Sequence, residues 1–117
     1  MITFYGYKNC STCQKAKKFL EKRHVSFKEI DITQTPPSAA VLKKALATGA
    51  YELKHLFNTS GQLYRQLNMK ERAGEMNESE ILHLLSTTGK LVKRPIITDG
   101  RNYTVGFKEE EFKKIWE

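Results

Sequence analysis

Residues 2–13 have the sequence ITFYGYKNCSTC, in which a short apolar run leads through a polar loop to two cysteines. The run at residues 2–5 predicts a short buried strand. Behind the cysteines, apolar residues recur at helical spacing, so we predict a helix from about Cys13 to Arg23. Strand, loop, cysteines and helix in this order place the thiols at the start of a helix.

The next stretch completes a β-α-β unit. Within residues 25–32, apolar and polar residues alternate, with one shift in the alternation, and this pattern predicts a second strand. This order indicates parallel pairing with a right-handed crossover, and we expect both strands to be central in the sheet. Thr35-Pro36-Pro37 predicts the start of a further helix, with Thr35 as its cap and Pro36 at its first position. Gly49 is its expected end.

The remainder of the chain predicts more helix and then a hairpin. Residues 52–88 have a helical pattern, in which Asn77-Glu78-Ser79-Glu80 resembles a capping box. Residues 96–98 and 102–105 flank Asp-Gly-Arg, a strong hairpin signal, and residues 109–116 predict a last amphipathic helix. The sequence therefore predicts one α/β domain, residues 1–117, with a β-α-β start, a helical insertion and a β-β-α end.

Composition narrows the class of protein. Hydrophobic residues make up 39% and charged residues 28% of the 117 positions, which is typical of a globular domain. The N-terminus has no export signal, so we expect a cytoplasmic protein, in which two cysteines are more often catalytic, sensory or metal-binding than a permanent cross-link. The net charge of +7 is dispersed, without a nucleic-acid motif, and we expect neither direct nucleic-acid binding nor membrane association.

Cys10 is the candidate nucleophile. A free thiol is only a few per cent ionised at neutral pH, and the thiolate is the reactive form. A thiol just before the first turn of a helix meets unpaired backbone N–H groups and the positive end of the helix dipole. Both favour the anion, so the sequence predicts an activated thiolate at this position.

Cys13 lies one helical turn further on, where its sulfur can attack a mixed disulfide formed on Cys10, and is the candidate resolving thiol. It is alternatively a small apolar core residue, as free cysteines often are. A zinc site is a third interpretation of the spacing, but it needs two more ligands, and His24, His55 and His83 are isolated in the sequence. We interpret these histidines as structural or surface residues.

Arg94 is the third candidate site residue. Lys93-Arg94-Pro95 precedes an apolar strand, and a proline at that place fixes the chain and favours a cis bond. In a thioredoxin-type layout this turn packs against the dithiol. A guanidinium there would stabilise the Cys10 thiolate and hold an oxyanion with its planar fork of donors, although a surface arginine in a loop is the alternative.

Three stretches together resemble a known family: YKNCSTC (residues 7–13) before a basic helix, TPP (35–37), and LVKRPII (91–97) before a hairpin. They are similar to the glutaredoxin-coupled, ArsC-type arsenate reductases and to the related Spx-like redox regulators. The resemblance covers essentially the whole chain. It implies a thioredoxin-like fold with a helical insertion.

The resemblance also implies roles for particular residues. Cys10 matches the nucleophilic cysteine and Arg94 one of the oxyanion-binding arginines, whereas Asn58 and Gly106 stand where two further arginines are expected, and Gln14 replaces a basic residue. Each missing charge-assisted hydrogen bond is worth on the order of 1.5–3 kcal/mol, so we expect weak or absent arsenate reduction.

Two functions are consistent with these residues, beside a weaker third interpretation, a chaperone-like or structural relic of the fold without redox chemistry. The first is an enzyme, an arsenate-reductase-like thiol–disulfide oxidoreductase with a Cys10/Cys13 dithiol. It would have no bound cofactor and would be restored by an external reductant such as thioredoxin, glutaredoxin or glutathione. The second is an Spx-like redox-sensing transcriptional regulator that binds the RNA polymerase α subunit.

Overall fold

The β-α-β start forms as predicted. Strand β1 (Ile2–Gly6), helix α1 (Ser11–Lys22) and strand β2 (Phe27–Asp31) follow one another in the computed structural model, which describes residues 1–117. The two strands pair in parallel, in a register that joins their first residues to one another and their last residues likewise. The helix begins two residues before the predicted position, which makes Cys10 its N-cap.

The hairpin is also confirmed. Strand β3 (Ile96–Thr98) pairs antiparallel with strand β4 (Tyr103–Val105) and, on its other side, with β1. In the turn, the Asp99 carboxylate accepts hydrogen bonds from two backbone N–H groups, and Gly100 has a φ of 97°. The resulting sheet has four strands in the order β2-β1-β3-β4.

The prediction that both early strands are central is wrong for β2, which is an edge strand. The chain turns into helix after β2 and never returns to add a strand beyond it. Lys28, Glu29 and Asp31 are exposed on this strand, and charged side chains of this kind protect a free sheet edge from pairing with other chains.

The predicted start of the next helix is also wrong. Helix α2 spans Ala39–Ala47, and Ser38 is its cap, with Oγ accepting from the N–H of Val41 at 3.2 Å. Pro37 restricts Pro36 to extended conformations, so the helix cannot begin at Pro36. The end agrees better with prediction, because Gly49 adopts a φ of 82° two residues after the helix.

The helical insertion consists of short elements. A 3₁₀ turn (Leu53–Leu56) leads to α3 (Gln62–Gln66), α4 (Met69–Arg72), a second 3₁₀ turn (Ala73–Glu75), α5 (Glu78–Thr87) and a third 3₁₀ turn (Gly89–Leu91). The predicted capping box of Asn77 and Glu80 is present at the start of α5. Helix α6 (Glu109–Ile115) closes the chain.

The sheet separates two apolar layers. Alternate residues of the strands face opposite sides, so Phe4 and Ile97 pack against α1 and α6, whereas Ile96 and Val105 pack against the helical insertion and α2. Cys13 belongs to the layer of α1 and α6. None of the helices has the length and hydropathy that crossing a bilayer requires.

Candidate active site

Cys10 lies where β1 ends and α1 begins. Its backbone is extended (φ −104°, ψ 114°), and its Sγ accepts the N–H of Cys13 at 3.2 Å, so the sulfur itself caps the helix. The side chain is half-buried. An N-terminal N–H directed at the sulfur stabilises negative charge on it, which agrees with the predicted placement of the thiol.

Two hydrogen bonds to backbone carbonyl groups hold the loop that carries Cys10. The N–H of Cys10 donates to the Tyr7 carbonyl at 3.2 Å, and Gln14 Nε2 donates to the Lys8 carbonyl at 3.2 Å. Gln14 stands where the family resemblance implies a basic residue, and here it fastens the loop to the first turn of α1. The sequence does not reveal this role, because an amide in a polar loop has many possible partners.

Cys13 is buried, with 1% of its surface exposed. Burial, and then the hydrogen bond with the Cys10 side chain, raise the pKa of its thiol to about 12, whereas hydrogen bonding to the Tyr7 backbone and the charge of Arg94 act in the opposite direction. The Cys10 side chain therefore acts on the Cys13 thiol, and the two cysteines differ in burial. Cys13 keeps its proton at neutral pH, and both cysteines are free thiols.

Arg94 precedes β3, and its bond to Pro95 is cis, as the sequence predicts. Its guanidinium carbon lies 5.1 Å from the centre of the Tyr7 ring, and its charge acts on the Cys13 thiol. Nη1 is buried and has no acceptor in the protein. Buried donors are nearly always paired, so this nitrogen has a donor to spare for a water molecule or a ligand.

A cleft of about 280 Å³ lies beside the guanidinium. Its cations are Arg94 and Lys90, and all of its other polar side chains are uncharged, among them Asn58, Gln62 and Gln66. Lys90 is not recognisable as a site residue from the sequence, because it lies far along the chain from the cysteines, in a pattern that indicates only a helix end.

The two positions that lack the arginines implied by the resemblance differ in setting. Asn58 borders the cleft with Arg94, whereas Gly106 does not. Gly106 has a φ of 79°, which favours glycine, and a Cβ there would lie 3.2 Å from Lys93 Cε. The cleft therefore has a single guanidinium.

The histidines lie in structural settings. His24 follows α1 with a φ of 57°, His55 Nδ1 accepts the N–H of Glu52 at 3.0 Å, and His83 is exposed on α5. These placements agree with the structural and surface roles expected from the sequence.

A mixed sheet, a dithiol at the N-terminus of the first helix and a cis-proline turn define a thioredoxin-like domain. Within that class the chain belongs to the ArsC family, which matches residues 5–115. This confirms the family suggested by the three sequence stretches.

Known proteins that resemble the chain include enzymes and regulators by name. It is 49% identical to the uncharacterized protein YusI of Bacillus subtilis, with 98% of each chain covered, and 32% identical to the global transcriptional regulator Spx of Streptococcus pneumoniae, with 97% of this chain and 84% of Spx covered. The crystal structure of a possible arsenate reductase from Streptococcus mutans is 36% identical and superimposes with a TM-score of 0.87, covering 97% of this chain and 98% of that one.

Proposed function

We propose that this protein is a thiol–disulfide oxidoreductase in which Cys10 is the nucleophile and Cys13 the resolving thiol. The observation that carries the proposal is the asymmetry of the pair: Cys10 Sγ is half-buried and accepts a helix N–H at 3.2 Å, while Cys13 is buried and protonated. The more accessible, stabilised sulfur reacts first, and its buried neighbour reacts second.

The proposed reaction has two steps. The Cys10 thiolate attacks one sulfur of a substrate disulfide, forms a mixed disulfide and releases the other sulfur as a thiolate. Cys13 then loses its proton, which goes to the departing thiolate or to water, and its sulfur attacks Cys10 Sγ. The Cys10–Cys13 disulfide forms, the second substrate thiolate leaves, and two electrons have passed from the protein to the substrate.

The first step itself prepares the second. In the reduced protein, the hydrogen bond with Cys10 and its negative charge both raise the pKa of Cys13. Once Cys10 is in a mixed disulfide its charge is gone, so these two contributions weaken and only burial still opposes ionisation. Cys13 therefore loses its proton more readily when there is an intermediate for it to resolve.

Arg94 is proposed to stabilise the Cys10 thiolate and to bind an oxyanion or carboxylate of the substrate through its free Nη1 donor. The protein needs an external two-electron donor to reduce its disulfide, for which we propose a thioredoxin- or glutaredoxin-type reductant or glutathione. With one guanidinium and one lysine in the cleft, arsenate is expected to be a poor substrate.

Oxidation of the protein tests the dithiol. Mild oxidation should remove two hydrogens in the mass spectrum and protect both thiols from alkylation, through an intramolecular Cys10–Cys13 disulfide. Cys13→Ser should accumulate mixed disulfides on Cys10, and Cys10→Ser should abolish the oxidation product. Persistent labelling of both thiols after oxidation would contradict the proposal, and Cys13→Ser behaving as wild type would leave Cys13 as a packing residue.

A matched pair of arginine variants tests the proposed role of Arg94. Arg94→Gln should slow alkylation of Cys10 by roughly tenfold, corresponding to about 1.4 kcal/mol of lost thiolate stabilisation. Arg101 is exposed in the hairpin turn, and Arg101→Gln is the control for loss of one positive charge. Equal rates in the two variants would mean that Arg94 contributes nothing specific to the thiolate.

A second candidate is a redox-sensing regulator, because the similar proteins include Spx and the regulatory protein MgsR of Bacillus subtilis, at 30% identity. In this alternative, the Cys10–Cys13 state changes the capping of α1 and so the surface that a partner contacts. Retention of RNA polymerase α subunit from cell extract, together with no arsenate- or disulfide-dependent NADPH consumption in a coupled assay, would favour the regulator.

A further inference from the structure

Two adjoining clefts occur where the helical insertion meets the segments that flank the hairpin, and no thiol lines either of them. Their volumes are about 480 and 430 Å³. Both are lined by Lys54, Phe57, Thr59 and Tyr64, so they adjoin one another, and together they are called here the insertion groove. Each half has a size that suits a small ligand.

One end of the insertion groove is cationic. Lys54, Lys93 and Lys108 line it, and no carboxylate does. Of the acidic residues nearby, Glu52 lies 3.7 Å from the Lys54 ammonium, and Glu111 is bonded to the hydroxyl of a tyrosine in the groove wall. Glu109 and Glu110 line a different cleft, on another side of Lys108. Lys93 and Lys108 have no ion-pair partner in the protein, so their charges are available to an anion.

The other end is apolar. Leu53, Ala73, Met76 and Ile81 line it, and Lys70 stands beside them. The aromatic rings of the shared wall, Phe57 and Tyr64, contact edge to face with centres 5.8 Å apart. Methionine in such a wall adapts to ligands of different shape.

The groove wall is fixed by backbone hydrogen bonds. Lys93 N–H donates to the Leu56 carbonyl at 2.7 Å, and Asn58 N–H donates to the Leu91 carbonyl at 2.8 Å. These bonds hold the shared wall against the segment that enters β3, so a ligand would bind without first ordering the site. Along this segment, Lys93 lines the insertion groove while its neighbour Arg94 lines the separate cleft that it shares with Lys90.

We propose that the insertion groove binds a small amphipathic anion, namely a carboxylate or similar acid group on an aliphatic body that is free in solution. The acid group lies among Lys54, Lys93 and Lys108, and the body lies along Phe57 and Tyr64 toward the apolar end. Charge complementarity selects the head group, and burial of apolar surface supplies affinity for the body. This site is separate from the dithiol and does not depend on the proposed redox function.

A titration with matched probes tests the proposal. Decanoate, added below its micelle concentration to the ¹⁵N-labelled protein at constant ionic strength, should bind saturably and shift the backbone resonances of Phe57, Tyr64 and Met76. Butyrate, which keeps the head group, and decyltrimethylammonium, which keeps the chain and reverses the charge, should each bind at least tenfold more weakly. Equal affinity for decanoate and decyltrimethylammonium, or shifts elsewhere in the protein, would overturn the proposal.

Variants locate the two ends of the ligand. Lys93→Gln combined with Lys108→Gln should weaken decanoate binding at least tenfold, and Met76→Glu should abolish it. Lys22→Gln, at an exposed lysine of α1, is the control for net charge and should bind as wild type. An unchanged affinity in the double lysine variant, with its spectrum showing a native fold, would overturn the proposal.

Two further experiments distinguish binding in the insertion groove from the proposed redox function and from binding to a membrane. The variant with both Cys10→Ser and Cys13→Ser should bind decanoate as wild type does, whatever the outcome of the oxidation experiments. Sedimentation with vesicles of anionic phospholipid tests a membrane source of the same chemistry. Binding to vesicles without binding of free decanoate would overturn the proposal.

Discussion

The buried thiol of Cys13 should make the reduced protein less stable as the solution becomes alkaline. Burial, and then the hydrogen bond with Cys10, raise the pKa of this thiol from its ordinary value of 9.0 to about 12. In the unfolded chain the thiol ionises near its ordinary value. Between the two values the unfolded state binds fewer protons than the folded state, so each pH unit lowers the free energy of unfolding by about 1.4 kcal/mol.

The sign and the window follow from the raised pKa. The contribution of the protonated thiol to stability is fully present below pH 9.0 and is lost progressively as the pH rises toward about 12. At about pH 10.5 the expected loss is about 2 kcal/mol, while at about pH 7.5 it is about zero. Such a difference is a large part of the stability of a domain of this size.

Urea denaturation of the reduced protein at these two pH values measures the decrease in the free energy of unfolding. Cys13→Ala is the comparison, because it removes the ionising group while the lysines and tyrosines titrate in both proteins and cancel. The stability advantage of wild type over the variant should shrink by about 2 kcal/mol between the two conditions. A constant advantage would mean that Cys13 ionises normally in the fold, and would remove the reason for assigning the first attack to Cys10.

Two further predictions concern contacts that fix the helical insertion. Gly89→Ala should destabilise the protein by at least about 2 kcal/mol in urea denaturation, because a Cβ at this position would overlap the backbone carbonyl of Ile32. Tyr51→Phe should cost about 1–3 kcal/mol, because the Tyr51 hydroxyl accepts the N–H of Val105 at 3.1 Å and donates to the Glu111 carboxylate.

Each of these changes has a matched control. Gly74→Ala adds the same methyl group where no atom lies within 4 Å, and its stability should stay close to that of wild type. Tyr64→Phe removes a hydroxyl without the two hydrogen bonds that Tyr51 makes. A loss as large in the controls as in the test variants would refute the steric and hydrogen-bonding explanations respectively.

Much of the fold was predictable because the decisive signals are local. The apolar run of β1, the Asp-Gly turn of the hairpin and the capping box of α5 each depend on residues a few positions apart, so sequence pattern suffices to find them. The pairing order of the sheet is not local. β2 was expected to be central, and only the course of the chain after it shows that no strand is added beyond it.

The candidate site likewise has features that were predictable from local sequence and features that were not. The place of Cys10 before a helix and the cis bond at Pro95 were predictable from neighbouring residues. The cation–ring contact of Arg94 with Tyr7 and the position of Lys90 in the same cleft were not, because they join parts of the chain more than eighty residues apart. Their proximity results from the packing of β3 against β1.

The sequence by itself thus determines the order of elements, the dithiol at the start of α1 and the membership of the chain in its family. Only the tertiary structure decides that Cys13 is buried and keeps its proton, and that Lys93 and Arg94, adjacent in sequence, line different clefts. The physical reason is that local propensity is set by neighbouring residues, whereas burial and electrostatic environment depend on residues brought together from distant parts of the chain.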